Sequence, residues 1–123
     1  MATRAVFSFA GFPGAPERHL YLHHDGYPTG AAWRLAAARR DAADAAGFLG
    51  AFLSRQQQAE PLASPEVAAD AEYRYRVQLL PGGDPRLAVQ CWRRLPGHGD
   101  WRLRCGPMPL EGFIQRFLPG DPL

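Results

Sequence analysis

Four polar side chains that could take part in chemistry lie close together in the chain: His23, His24, Asp25 and Tyr27. Imidazole titrates near neutral pH, and a neighbouring carboxylate can hold it in one orientation. Such a group could act as an acid and a base, or it could bind a divalent metal ion. One hypothesis from the sequence is therefore a small metal-dependent or acid-base hydrolase centred on these four residues.

The same stretch also has a structural interpretation, which we favour. Adjacent residues of a strand point to opposite faces, so His23 and His24 are poorly placed to bind one metal ion. Asp25 and Gly26 are typical of a turn, and Pro28 suits the first turn of a helix. In this interpretation the Asp25 carboxylate bonds to backbone N–H groups of the turn or of the helix start.

A second group of residues predicts a binding surface on a sheet. The segment 73–79 alternates, so its apolar side chains would face the core while Arg74 and Arg76 face away. Strands predicted at 87–93 and 101–105 would extend this outward face, which would carry Arg74, Arg76, Gln90, Trp92, Arg94, Arg102 and Arg104. Guanidinium groups around an indole are suited to a protein partner, and equally to single-stranded nucleic acid.

The hydrophobic pattern predicts the elements that position these residues. Strands are expected at 5–10 and 19–24, and apolar spacings of three and four from Leu35 to Phe52 predict one long helix. That helix should begin near Pro28 and end between residues 52 and 57. The polar segment 54–71 is expected to cross back over the sheet on the surface, and a short amphipathic helix is expected at 109–118.

The expected order is thus strand, strand, long helix, three strands, short helix. It is typical of an α+β fold, here with a mainly antiparallel five-stranded sheet and both helices packed on one face. A chain of 123 residues suits one domain, so we expect residues 1–123 to form a single domain. In the last hairpin, folded about the turn at 96–100, Trp101, Leu103 and Cys105 should face the core. Cys91 should then lie opposite Cys105, with both thiols reduced.

Composition narrows the classes of function. All 14 basic residues are arginine, and with 12 acidic residues the net charge is only +2, which attracts nucleic acid weakly over distance. The sequence has no phosphate-binding glycine loop, no nucleophile elbow, and no zinc-binding histidine or cysteine motif, so we expect no cofactor and no metal. It also lacks an apolar run of about 18 residues and a secretory signal, so we expect a cytoplasmic protein without a membrane partner.

The strand that ends in His24-Asp25-Gly26-Tyr27-Pro28 and runs into a helix of small residues resembles a motif of small bacterial and phage proteins of unknown function. In that family a later strand carries an acidic residue and two alternating tyrosines, and Glu72-Tyr73-Arg74-Tyr75 matches this pattern. The resemblance implies a strand, turn and helix in this order. It implies no activity, substrate or catalytic residue.

From these observations we expect a non-enzymatic binding protein that uses the face rich in arginine and tryptophan. Its partner would be another protein or a second copy of the chain. The hydrolase hypothesis and a single-stranded nucleic-acid binder stay as alternatives.

Overall fold

The computed structural model describes residues 3–14, 16–95 and 99–121. The predicted loop position Ala15 and the segment 96–98 of the predicted hairpin turn lie outside the described residues. In the described part of the chain the elements are β1 (Ala5–Ala10), β2 (Arg18–Leu22), α1 (Pro28–Asp41), α2 (Phe48–Arg55), β3 (Glu60–Leu62), a 3₁₀ turn (Pro65–Val67), β4 (Tyr73–Leu80), β5 (Arg86–Arg93), β6 (Arg102–Pro109) and α3 (Leu110–Phe117).

The strands of the described residues form one mixed sheet in the order β3-β2-β1-β4-β5-β6. The fold is α+β, but the prediction of five mainly antiparallel strands is wrong in two details. A short strand, β3, extends the sheet beside β2, and β1 pairs with β4 in parallel. The parallel pair arises because the chain crosses the sheet after β3 and enters β4 in the direction of β1.

The main core lies between one face of the sheet and three α-helices, where the sequence predicted two helices. The alternation of β4 is confirmed, since Tyr73, Tyr75, Val77 and Leu79 are buried and the residues between them are partly exposed. All three α-helices contribute buried side chains to this cluster, where Phe7 and Phe9 of β1 contact Phe52 of α2. Burial of apolar surface on this face is the main favourable contribution to the fold.

The prediction of one continuous helix is wrong, because the helix ends at Asp41 and a second one begins at Phe48. Between them the Asp44 side chain accepts a hydrogen bond from the backbone N–H of Gly47 at 2.9 Å. Short polar side chains stabilise such turns in competition with a helix. The turn redirects the chain so that α2 places its own apolar side chains against the sheet.

The opposite face of the sheet, called here the outer face, is partly covered by the segment 63–72. Within the predicted surface connection 54–71, residues 60–62 form the strand β3 and residues 65–67 form the 3₁₀ turn. On the outer face Val6 and Tyr21 pack against Ala68 and Ala71 in a second, smaller apolar cluster. The Tyr21 hydroxyl donates a hydrogen bond to Asp70 at 2.6 Å. Every residue of β1 is consequently buried, on both faces of the sheet.

The hairpin of β5 and β6 contains two register shifts, and the one between Cys91 and Trp92 changes which side chains face outward. Cys91 lies opposite Cys105, as predicted, and both are buried free thiols. The register then shifts, so that Trp92 lies opposite Leu103 and Arg104 is the extra residue of a bulge. The prediction that Leu103 faces the core is therefore wrong, since it is 54% exposed.

The prediction that Trp101 faces the main core is also wrong. The residue precedes β6 and packs against the small cluster on the outer face. The bulge explains this placement, because one extra residue reverses the alternation of all positions on its far side.

Candidate functional site

The four residues of the hydrolase hypothesis do not converge on one point. His23 follows β2, and its Nε2 atom lies 3.1 Å from Oε1 of Glu60 on the neighbouring strand. His24 and Asp25 are exposed, and the His23 and His24 ring centres are 6.4 Å apart. The Tyr27 hydroxyl does donate a hydrogen bond to Asp25, at 3.2 Å. The structure thus brings Asp25 and Tyr27 together and directs His23 to Glu60.

The backbone of this turn is held by a side chain outside the set of predicted site residues. Arg34 of α1 is only 8% exposed and donates hydrogen bonds to the carbonyl oxygens of His24 and Asp25, at 2.8 and 2.9 Å. Its Nε also donates to Gln56 at 3.3 Å. Burial lowers the pKa of Arg34, and the nearby Asp25 carboxylate opposes this shift. Arg34 is the one arginine within the alanine-rich stretch 31–38 of α1, and its isolation there was the available signal.

A second anchor comes from the sheet. The buried hydroxyl of Tyr75 donates a hydrogen bond to the carbonyl oxygen of Gly26 at 2.6 Å, and the N–H of Gly26 donates to Thr3 at 2.8 Å. The predicted bond from Asp25 to a backbone N–H is wrong, because the start of α1 has no side-chain cap and Asp25 bonds to Tyr27 instead. The backbone geometry of the turn is fixed by Arg34 and Tyr75.

Two further arrangements of polar residues bear on chemistry: a possible metal site and the pair formed by Ser8 and His19. Among residues 3–14, 16–95 and 99–121, no three histidine, cysteine or acidic side chains are arranged to hold a metal ion. Ser8 lies 2.7 Å from Nδ1 of His19, which is the kind of pair that can activate a serine. Ser8 is completely buried, however, so a substrate cannot reach its hydroxyl.

The predicted binding surface has its centre at Arg74 and Trp92, which lie opposite each other on β4 and β5. The guanidinium carbon of Arg74 is 5.1 Å from the centre of the Trp92 ring, within range of a cation–π interaction. Its Nε is shielded from solvent and has no hydrogen-bond partner in the described part of the chain. Burial lowers the pKa of Arg74, and the carboxylates of Glu17 and Glu66 oppose this.

Two further arginines of the predicted surface have partners within the chain. Arg76 contacts Glu17 and Gln78, both at 3.1 Å, and lies opposite Gln90 on the same face. Arg94 donates hydrogen bonds to backbone carbonyl oxygens of the crossing segment 63–72 and stacks on Trp101 at 4.2 Å. Both arginines hold neighbouring segments of the chain against the sheet.

The last two arginines are displaced by the bulge. Arg102 lies opposite Arg93, whose guanidinium sits over the Tyr73 ring on the helix side, so Arg102 belongs to that side. Arg104 occupies the bulge itself. Of the seven predicted residues, the outer face therefore keeps five: Arg74, Arg76, Gln90, Trp92 and Arg94. Leu103, predicted to face the core, lies beside Trp92 on the outer face.

No helix among the described residues combines the length and the apolar character needed to cross a membrane. Comparison with known proteins identifies no family, because the chain matches no family model, no curated protein and no solved structure.

Proposed function

We propose that this chain is a non-enzymatic binding protein whose protein partner docks on the outer face around Trp92. The observation that carries the proposal is the pair formed by Arg74 and Trp92, in which a partly desolvated guanidinium is stacked on an indole that solvent still reaches. Leu103 lies directly beside this pair and is half exposed. Arginine, tryptophan and apolar contacts in one patch are typical of the centre of a protein interface.

A protein partner is favoured over nucleic acid because two arginines of the outer face already have partners within the chain. Binding along a phosphate backbone needs several cations free to contact phosphates. On the outer face Arg76 is paired with a carboxylate, and Arg94 is bonded to backbone carbonyls. The exposed apolar side chains around the face, Val67 and Leu103, have more to gain from contact with a protein.

The hydrolase hypothesis receives less support from the geometry. His23 is bonded to Glu60, and the backbone of His24 and Asp25 is occupied by Arg34, so the candidate groups serve the turn. A cytoplasmic location belongs to the same proposal, because two buried free thiols opposite each other are compatible with a reducing compartment.

The test is affinity capture from an extract of the source cells with three forms of the protein. Trp92→Ala removes the centre of the patch, and Trp33→Ala is the matched control, since Trp33 is 59% exposed on α1. We expect the wild type and Trp33→Ala to recover the same protein, and Trp92→Ala to recover at least tenfold less. Circular dichroism should show that all three are folded.

Equal recovery by all three forms would overturn the proposal. Recovery that nuclease treatment abolishes would favour the nucleic-acid binder. Hydrolysis of a general ester or phosphoester substrate that Asp25→Asn abolishes would favour the hydrolase.

A further inference from the structure

Strand β6 forms one edge of the sheet, with β5 as its one neighbour in the described residues. An edge strand presents unpaired backbone N–H and C=O groups along its free side. The opposite edge, β3, is only three residues long and contains Pro61. In β6 the prolines at positions 107 and 109 lack the N–H that pairing requires. Of the two sheet edges, the segment 102–105 of β6 is therefore best able to accept another strand.

The side chains of this segment have a distinct chemistry. Arg102, Leu103 and Arg104 are all exposed, and neither arginine forms an ion pair in the part of the chain that the structure describes. Asp100 is the acidic neighbour, also exposed, two residues before the strand. A strand paired with 102–105 would therefore contact the guanidinium groups of Arg102 and Arg104. It would also contact Leu103, which lies beside Trp92.

We propose that 102–105 binds an extended acidic segment of the partner as an additional strand of the sheet. This inference rests on the proposed function and specifies how the partner of the outer face is recognised. Backbone hydrogen bonds to the free side of β6 hold the segment, and its carboxylates contact Arg102 and Arg104. An apolar side chain between the carboxylates packs on Leu103 and Trp92. The bulge at Arg104 keeps the added strand short.

Charge favours an acidic segment over a second copy of the same strand. If two copies of β6 paired antiparallel with Leu103 opposite Leu103, Arg102 of each copy would lie opposite Arg104 of the other. Like charges placed directly opposite in a sheet are destabilising. An acidic partner converts both positions into favourable pairs.

The test uses isotope-labelled protein and three blocked hexapeptides, observed through backbone amide resonances. The first peptide alternates glutamate and valine, the second replaces each glutamate with lysine, and the third is the acidic peptide N-methylated at alternate residues on its pairing edge. We expect the acidic peptide to shift and protect the amides of 102–105. The lysine peptide and the N-methylated peptide should bind at least tenfold more weakly.

Charge reversal tests the two arginines. The double variant Arg102→Glu with Arg104→Glu should reverse the preference, so that the lysine peptide binds better than the acidic one. The control is Arg86→Glu with Arg116→Glu, which changes the net charge equally at two exposed arginines outside β6. This control should keep the preference of the wild type.

Three outcomes would overturn the inference: no peptide response at 102–105, equal binding of the N-methylated peptide, or a dimer in sedimentation whose protected amides map to β6. If one of these occurs while partner capture still depends on Trp92, the proposed function stands and only the strand pairing fails. If the peptide binds as expected while capture is independent of Trp92, the β6 assignment stands and the outer-face proposal fails.

Discussion

The guanidinium of Arg34 donates a hydrogen bond to the backbone carbonyl oxygen of Asp25 at 2.9 Å. A second bond to the carbonyl of His24 makes the arginine a bridge between the start of α1 and the turn that precedes it. Because Arg34 is buried, each of these carbonyls would lose a partner if the side chain were removed. Arg34 thus holds the backbone of the turn against α1.

Replacing Arg34 with methionine should therefore lower the free energy of unfolding by about 2–4 kcal/mol, because charged hydrogen bonds are lost and two carbonyls are left unsatisfied. Urea denaturation measures this value. Arg116→Met is the control, since Arg116 is exposed on α3 and should change stability by less than about 0.5 kcal/mol. Similar losses in both variants would contradict the role assigned to Arg34.

Gly30 should be intolerant of a side chain. A Cβ atom at this position would overlap the backbone carbonyl oxygen of Asp25, whereas one at Gly50 in α2 would meet no atom within 4 Å. Gly30→Ala should destabilise the protein by at least about 2 kcal/mol, because the turn must move. Gly50→Ala should stabilise it by up to about 1 kcal/mol through helix propensity. Thermal or urea denaturation of both variants decides whether the predicted opposite signs occur.

Asp25 has a positive φ of +54°, in the left-handed region that glycine adopts without strain. Asp25→Gly should raise the stability by up to about 1 kcal/mol if the residue serves the turn alone. Asp25→Ala, which keeps the strain and loses the bond to Tyr27, should lower it. The same denaturation measures both variants. A lower stability of Asp25→Gly would show that the contacts of the carboxylate stabilise the fold by more than the positive φ destabilises it.

Stability should fall at alkaline pH in a way that depends on Cys91. Burial, followed by the effect of Cys105, raises the pKa of this thiol from 9.0 to about 12. The folded state keeps the proton at pH values where the unfolded chain releases it, so the stabilising contribution is complete below pH 9 and is lost as the pH rises towards 12. Denaturation between pH 8 and pH 11 should show a steeper decline for the wild type than for Cys91→Ala. Parallel declines would contradict this prediction.

The periodicity of apolar residues predicted the elements whose buried face is determined by their own side chains. The alternation from Tyr73 to Leu79 falls on the core side as expected. Leu35 and Phe52 of the predicted long helix are also buried in the core, although two separate helices carry them. The pairing of Cys91 with Cys105 followed from counting residues outward from the turn. Packing of the helices on one face then follows, since each has an apolar side that must be covered.

The remaining features depend on contacts between residues far apart in the chain. The break between α1 and α2 has no proline, and its turn is stabilised by the carboxylate of Asp44. Strand β3 contains Pro61 and has no alternation of its own, so its pairing with β2 could not be predicted. The bulge at Arg104 reversed the assignment of Leu103, and with it the arginines that share the outer face.

Strand β1 lies in the interior of the sheet, with β2 on one side and the parallel β4 on the other, and β4 begins more than sixty residues after β1 ends. During synthesis, the β4 side of β1 therefore stays unpaired until β4 has been made. Such nonlocal closure slows folding and leaves an apolar strand available for wrong associations in the meantime. For this protein, the time between translation of β1 and translation of β4 is the period in which a chaperone would matter most.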